Sequence, residues 1–259
     1  MKGVDILGNI ALLKFGRDVK VSEKKKIALN FLEMHKGVST ILEKTGKFSG
    51  RLRTQETKWL AGEKTKEVLY KENGCMFRFN VDSCYFSPRL SEERKKVAEK
   101  VRKKENVLVM FSGVGPFPIV IAKISKCKNL VAVELGKECN KYAKINVKRN
   151  KLNNVEVVQG DVRRVIGKGK KVSERFDRIV MARPNLKDSF LDVAFSVSKK
   201  RAIIHYYGFY LEADKEKMLE MIKDESRDAG KKIKILKVKK AGDIGSRKFR
   251  YRVDIKVLN

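Results

Sequence analysis

NVLVMFSGVGPFPIVIAKISK, residues 106–126, decides the fold. Its opening run, NVLVMF, is apolar and short enough for a buried strand. SGVGP (112–116) follows as a glycine turn, and IVIAKISK (119–126) reads as a helix. A glycine turn just beyond a buried strand lets a ligand approach the backbone closely. The turn is not a dinucleotide G-x-G-x-x-G, because Pro118 stands where the third glycine would be. Proline there suits a ligand without a pyrophosphate.

The pattern repeats downstream. A strand is expected at 129–135, a helix at 138–150, and strands at 155–161 and 176–184. A helix at 188–198, a strand at 201–207 and a helix at 214–229 follow, then the β-like runs KIKILKVKKA and KFRYRVDIKV. Strands alternating with helices imply an α/β, doubly wound, mostly parallel Rossmann-like sheet. Upstream, residues 87–105 read as one helix with Ser91 as N-cap. Residues 4–15 read as two strands around a Gly-Asn turn, and 22–35 as a helix capped by Ser22. Strands are expected at 38–42, 67–70 and 74–81, with the stretch 46–63 as polar connection. The division expected is a small α+β RNA-binding and catalytic-support domain at 1–85 and the Rossmann-like domain at 86–259.

The 259 residues carry 61 Lys+Arg against 31 Asp+Glu, a formal net charge of +30. The excess is spread: residues 1–80 hold 17 basic and 9 acidic side chains, residues 81–259 hold 44 and 22. Such a field attracts polyanions. A merely lysine-rich composition gives the same number, since 43 of the cations are Lys. At 42% hydrophobic the chain has material for a core, which excludes wholesale disorder. No apolar run reaches the roughly 18 residues of a membrane span, and MKGVDILGNIALLKFG is no secretory signal.

Cys75, Cys84, Cys127 and Cys139 form no C-x-x-C pair, and His35 and His205 are the only histidines. No metal site and no hydrolase triad are expected. Scattered cysteines fit small buried hydrophobes in a reducing cytoplasm. Trp59 is expected in packing, and His205 and Tyr206 at least as much in packing as in substrate contact.

Two acids complete the ligand site. Glu134 ends the second strand, where a carboxylate can accept hydrogen bonds from ribose hydroxyls. Asp161 ends the third, beside the place an adenine would take. Glycine turn, Glu134 and Asp161 together resemble an S-adenosylmethionine-dependent methyltransferase of class I.

VDSCYFSPRLSEER (81–94), MFSGVGPF (110–117), DRIVMARP (177–184) and IHYY (204–207) sharpen this. In that order and spacing they resemble the archaeal and eukaryotic tRNA guanine-N1-methyltransferase family, over nearly the whole chain. That family acts on the guanosine at tRNA position 37, immediately 3′ of the anticodon. The resemblance implies Glu93 as a catalytic glutamate, Arg94 as a cofactor contact, Arg53 (from GRLR, 50–53) as a catalytic arginine, and Tyr85 as an aromatic of the same site. It places Phe111, Gly113, Val114, Gly115, Pro116, Glu134, Leu135, Asp161, Val162 and Ala182 around the cofactor. Pro184 matches the proline of the family's Asn-Leu-Pro motif. Implied with these are S-adenosyl-L-methionine as cofactor, the tRNA anticodon arm as partner, a monomer, no membrane, and the cytoplasm.

The chemistry suits these residue types. Guanine N1 carries a proton at neutral pH and is a poor nucleophile. A carboxylate can take that proton as the methyl arrives. A guanidinium can stabilise the charge that shifts onto O6. The target nucleotide must leave the anticodon stack to be reached.

Three departures from the family pattern stand out. Val109 replaces an aspartate before the Met-Phe of the glycine loop. Ala182 and Arg183 replace Asn-Leu. By this resemblance the chain is expected to open at the family's second domain, without the small domain that checks the tRNA elbow in relatives. The altered base pocket keeps open a wyosine-pathway reading, in which a carbon of the tricyclic imidazopurine (4-demethylwyosine) at the same position is methylated. Aminocarboxypropyl transfer, and a non-catalytic RNA-binding protein, are further alternatives. If electrostatics substitute for elbow recognition, tRNA affinity measured by filter binding falls more steeply with salt than that of a full-length relative. A shallow slope would return the charge to a lysine-rich composition.

Overall fold

The computed structural model describes residues 2–46, 50 and 52–259. The chain begins with an antiparallel pair, β1 (Gly3–Leu7) and β2 (Ile10–Lys14), around the Gly8–Asn9 turn. Gly8 has φ +55°, and a Cβ there would lie 1.8 Å from the Leu69 carbonyl oxygen. No other residue fits that approach. Asn9 completes it by accepting from the Leu69 N–H at 2.7 Å and donating to the Glu67 carbonyl at 3.2 Å.

Helix α1 (Val21–Met34) crosses over, so β3 (Thr40–Lys44) runs parallel to β2. Val21 rather than Ser22 opens this helix; Lys20 holds the cap position, with no side-chain capping bond. β4 (Thr57–Gly62) then closes a four-stranded sheet, order β1-β2-β3-β4. The stretch 46–63 therefore contains a strand where a polar connection was expected. Its apolar residues Leu60 and Ala61 are buried under α1 with Ala28 and Ile41, whereas Trp59 is 42% exposed at the sheet surface. Within this stretch, Lys47, Phe48, Ser49 and Arg51 lie outside the described residues.

A hairpin of β5 (Glu67–Glu72) and β6 (Cys75–Asn80) comes next. A 3₁₀ turn, Pro88–Leu90, leads into α2 (Ser91–Ala98). This helix ends well before residue 105. Val101 turns into the core, and the Lys100 carbonyl accepts from Arg178 Nη2 at 2.9 Å. Ser91 starts the helix instead of capping it; Leu90 has the cap position.

The rest is one seven-stranded sheet. β7 (Asn106–Met110), β8 (Asn129–Glu134), β9 (Val155–Gln159), β10 (Phe176–Met181) and β11 (Ser198–Leu211) are parallel. β12 (Ile233–Gly245) and β13 (Lys248–Val257) form an antiparallel edge. The order is β12-β13-β11-β10-β7-β8-β9. The helices are α3 (Pro116–Ser125), α4 (Lys137–Arg149), α5 (Val162–Val165), α6 (Leu191–Ser196) and α7 (Lys215–Asp228). Strand order reverses between β7 and β10, the place where open α/β sheets bind ligands. Among the described residues no helix is long and apolar enough to cross a membrane.

Asn146 of α4 and Asn150, which caps that helix, tie the hairpin to this sheet. Asn150 takes the Met76 N–H at 2.9 Å and gives to its carbonyl at 2.7 Å. Asn146 does the same at Arg78, at 2.7 and 3.0 Å, and also donates to Val114 in the glycine turn at 2.9 Å. Arg94 of α2 adds a fork to Glu72 of β5, both bonds 2.5 Å, with both side chains at most 2% exposed. Removing one partner strands a buried charge. Glu72→Ala should therefore cost about 3–5 kcal/mol in urea unfolding. A loss under about 1 kcal/mol would show that Arg94 finds water or another acceptor.

Candidate active site

Backbone shape makes the site. Phe111 (φ 62°), Gly113 (φ 57°) and Gly115 (φ 92°) all take left-handed conformations in the turn after β7. Gly115 occupies the cap position of α3, with Pro116 at its first turn, where a missing N–H costs nothing. A Cβ on Gly113 would meet nothing closer than the Tyr85 carbonyl oxygen at 4.0 Å, so the space above it is open.

That space is a cavity of about 970 Å³ including its mouth. Into its wall the fold brings Arg53, Tyr85, Phe111, Gly113, Glu134, Leu135, Asp161, Val162, Ala182 and Pro184, all expected from sequence. Val114, Gly115 and Pro116 shape the turn without reaching the lining. Arg94 does not reach it either: its guanidinium is spent on Glu72 and the Ser87 carbonyl. Glu93 also lies behind the wall, 5% exposed.

Glu134 joins two turns. Its Oε2 accepts from Gly113 N–H and its Oε1 from Gly136 N–H, each at 2.7 Å. Burial pushes its pKa up, and the backbone N–H groups of Gly136, Gly113 and Leu135 pull down without cancelling that. Each oxygen keeps accepting capacity, so a ligand hydroxyl can still bond there. Asp161 caps α5 by accepting from Arg163 N–H at 2.9 Å.

The cavity also holds cations. Arg53, itself at φ 54°, lays its guanidinium 4.0 Å from the centre of the Tyr85 ring. Arg250 approaches the Tyr85 hydroxyl; burial lowers its pKa, Tyr85 opposes, and nearby Arg53 adds to the lowering. Arg183 is 5% exposed and spends Nη2 on the Leu186 and Asp188 carbonyls, while its Nε finds no partner among the described residues. An orphaned donor in a cavity wall fits a ligand that brings an acceptor.

Glu93 has three partners. Arg252 Nη1 bonds Oε1, Tyr207 Oη donates to Oε1 at 3.0 Å, and Lys239 Nζ sits 2.9 Å from Oε2. A second buried cluster adjoins it. Asp254 pairs with Arg252 Nε at 2.8 Å, with Lys100 at 2.8 Å and with His205 Nδ1 at 2.7 Å. Arg178, which can only donate, faces His205 Nε2 at 2.8 Å. His205 is thus the neutral tautomer with its proton on Nδ1, in keeping with burial lowering its pKa. Burial pushes the Asp254 carboxyl up, but His205, Lys100 and Arg252 outweigh it and hold the group well below the usual range. His205 is therefore structural. Sequence reading missed Tyr207, Arg250, Arg252, Lys239 and, as lining, Leu52, Phe117 and Cys139. IHYY flagged the neighbourhood of Tyr207; nothing local flagged the β12–β13 cations. Among the described residues no three His, Cys, Asp or Glu side chains are grouped to hold a metal.

Residues 68–236 match the TRM5/TYW2 methyltransferase domain model. This chain belongs to that family. The tRNA (guanine(37)-N(1))-methyltransferase Trm5b of Pyrococcus abyssi is 35% identical over 98% of this chain and 74% of its own length. Its crystal structure superposes with a TM-score of 0.87 at 34% identity, covering all of this chain and 76% of that one. The tRNA (guanine(37)-N(1))/4-demethylwyosine(37)-methyltransferase Taw22 of Nanoarchaeum equitans is 33% identical over 97% of this chain and 98% of its own. Two solved family complexes are similar in fold. One is aTrm5 with tRNALeu, at TM-score 0.86 and 25% identity, over 100% of this chain and 72% of that one. The other is M. jannaschii TYW2 with AdoMet, at 0.77 and 28%, over 99% of each. The open glycine cradle and the twin-bonded Glu134 fit an AdoMet nucleoside. Glu134→Ala should weaken AdoMet binding at least tenfold in calorimetry, because it removes a ligand acceptor and unties Gly113 from Gly136. Unchanged affinity would move the cofactor elsewhere.

Proposed function

We propose that this TRM5/TYW2 chain methylates N1 of guanosine at tRNA position 37. The observation that carries the reading is that Glu134, Asp161 and Arg53 line one cavity, with Tyr207 of the same lining bonded to the Glu93 carboxylate. S-Adenosylmethionine would supply an electrophilic methyl on a sulfonium. Glu134 would accept from the ribose hydroxyls of that cofactor, and Asp161 would hold its base. Arg53 donates to guanine O6 and stabilises the charge that develops as N1 loses its proton. Glu93 is the final acceptor of that proton, and Tyr85 and Pro184 shape the base site. Arg183 and Arg250 add cations able to receive anionic groups of the RNA. The anticodon arm is the part of the tRNA engaged, by a monomer in the cytoplasm.

Ala182 favours a second reading. It leaves the wall without the amide the family places there, and the N. equitans relative is named for both guanosine and 4-demethylwyosine. Methylation of the imidazopurine therefore stands as the alternative. Mass spectrometry of nucleosides from tRNA carrying either base, after incubation with labelled AdoMet, separates the two. Glu93→Gln should slow transfer about 10²–10⁴-fold while leaving AdoMet affinity within about twofold. Activity surviving within a few-fold would remove Glu93 from the base role.

A further inference from the structure

Glu93 does not line the cavity, so its proton must come through something that does. Sheet register supplies the candidate. Tyr207 of β11 pairs with Arg252 of β13, and Arg252 pairs with Lys239 of β12. Directly opposed residues of neighbouring strands present their side chains on one face. The row Tyr207–Arg252–Lys239 therefore faces α2 together, and all three side chains converge on the Glu93 carboxylate. Of these four groups only Tyr207 also lines the cavity.

We propose that Tyr207 is a catalytic residue that passes the substrate proton to Glu93, with Arg252 and Lys239 as positioning residues that fix the carboxylate. The inference rests on the guanine-N1 reading above. In the transfer step the N1–C bond forms as the S–C bond breaks, and the sulfur keeps that electron pair. The N1–H proton moves to Tyr207 Oη, and the proton Tyr207 held moves to Glu93 Oε1. Tyr207 ends as it began and Glu93 ends neutral. Two features support a concerted hand-over. Burial and the Glu93 charge push the Tyr207 phenol well above its ordinary pKa, so free tyrosinate is not an intermediate. The ring is held by Phe117, centroid to centroid 5.8 Å, itself a cavity residue. Arg252 and Lys239 together face Glu93 with two cations, so the carboxylate is paired before substrate arrives.

Single-turnover methyl transfer to guanosine-37 tRNA tests this with Tyr207→Phe, Glu93→Gln and the double variant. Tyr207→Phe keeps the ring and removes only the hydroxyl. The expected result is a fall of about 10²-fold or more, AdoMet affinity within about twofold, and a double variant no slower than Glu93→Gln alone. The wild-type rate, followed against the deuterium fraction of the solvent, should curve as two protons in flight require. A Tyr207→Phe rate within about threefold of wild type, or a straight wild-type proton inventory, overturns the relay and leaves the guanine reading intact. A wild-type chain that methylates no guanosine-37 overturns that reading and the relay with it.

Discussion

The Glu134 carboxylate is the knot on which the site depends. Its two oxygens hold the N–H groups of Gly113 and Gly136 at 2.7 Å, so the turns after β7 and β8 cannot separate. The turn after β7 borders the reversal of strand order, where adjacent crossovers leave the sheet in opposite directions and open a crevice, and the turn after β8 stands next to it. Left-handed backbone at Phe111, Gly113 and Gly115 shapes the floor of that crevice and leaves open space above Gly113. Asn146 of α4 extends the knot: one side chain bonds Val114 in the turn and Arg78 in the hairpin. The cavity floor, the hairpin and α4 are thereby one mechanical unit, and Tyr85 is delivered at the end of the hairpin segment.

The antiparallel edge has a separate task. β12 and β13 bring Lys239, Arg252, Asp254 and Arg250 against elements far away in sequence. Buried ions are costly unless paired, and here the pairs interlock from Glu105 through Arg178, His205 and Asp254 to Arg252 and Glu93. Such a chain gives conformational definition to a charged site, because moving one member strands its neighbour. The formal charge of +30 thus has two components. Many lysines are solvated. A smaller set of arginines (Arg53, Arg183 and Arg250) lines the cavity.

Much of this was legible in the sequence. The parallel strands and crossover helices follow from apolar runs and glycine punctuation, and β7 with its turn stands almost as read. Arg53, Tyr85, Glu134, Asp161 and Pro184 share one cavity as the family resemblance implied. Where local reading failed, a tertiary partner decided. β4 does not alternate cleanly, because the apolar Trp59 sits on its exposed side while Thr57 is buried, so its strand period is concealed. The helix at α2 stops early because the Lys100 carbonyl and Val101 are claimed by Arg178 and the core. Arg94 matched a cofactor contact by motif, but Glu72, 22 residues upstream, captures its guanidinium.

The sequence by itself determined the order of elements, the glycine turn and the identities of the groups that end β7, β8 and β9, because periodicity and backbone permissiveness are local properties. It could not determine that Glu93 lies behind the cavity wall, nor that Tyr207, Arg252 and Lys239 form one row against it. That arrangement is set by cross-strand register among β11, β13 and β12. That register brings Arg252 against a helix residue 159 positions away, and such pairing is fixed only when the sheet closes and its inner face is buried.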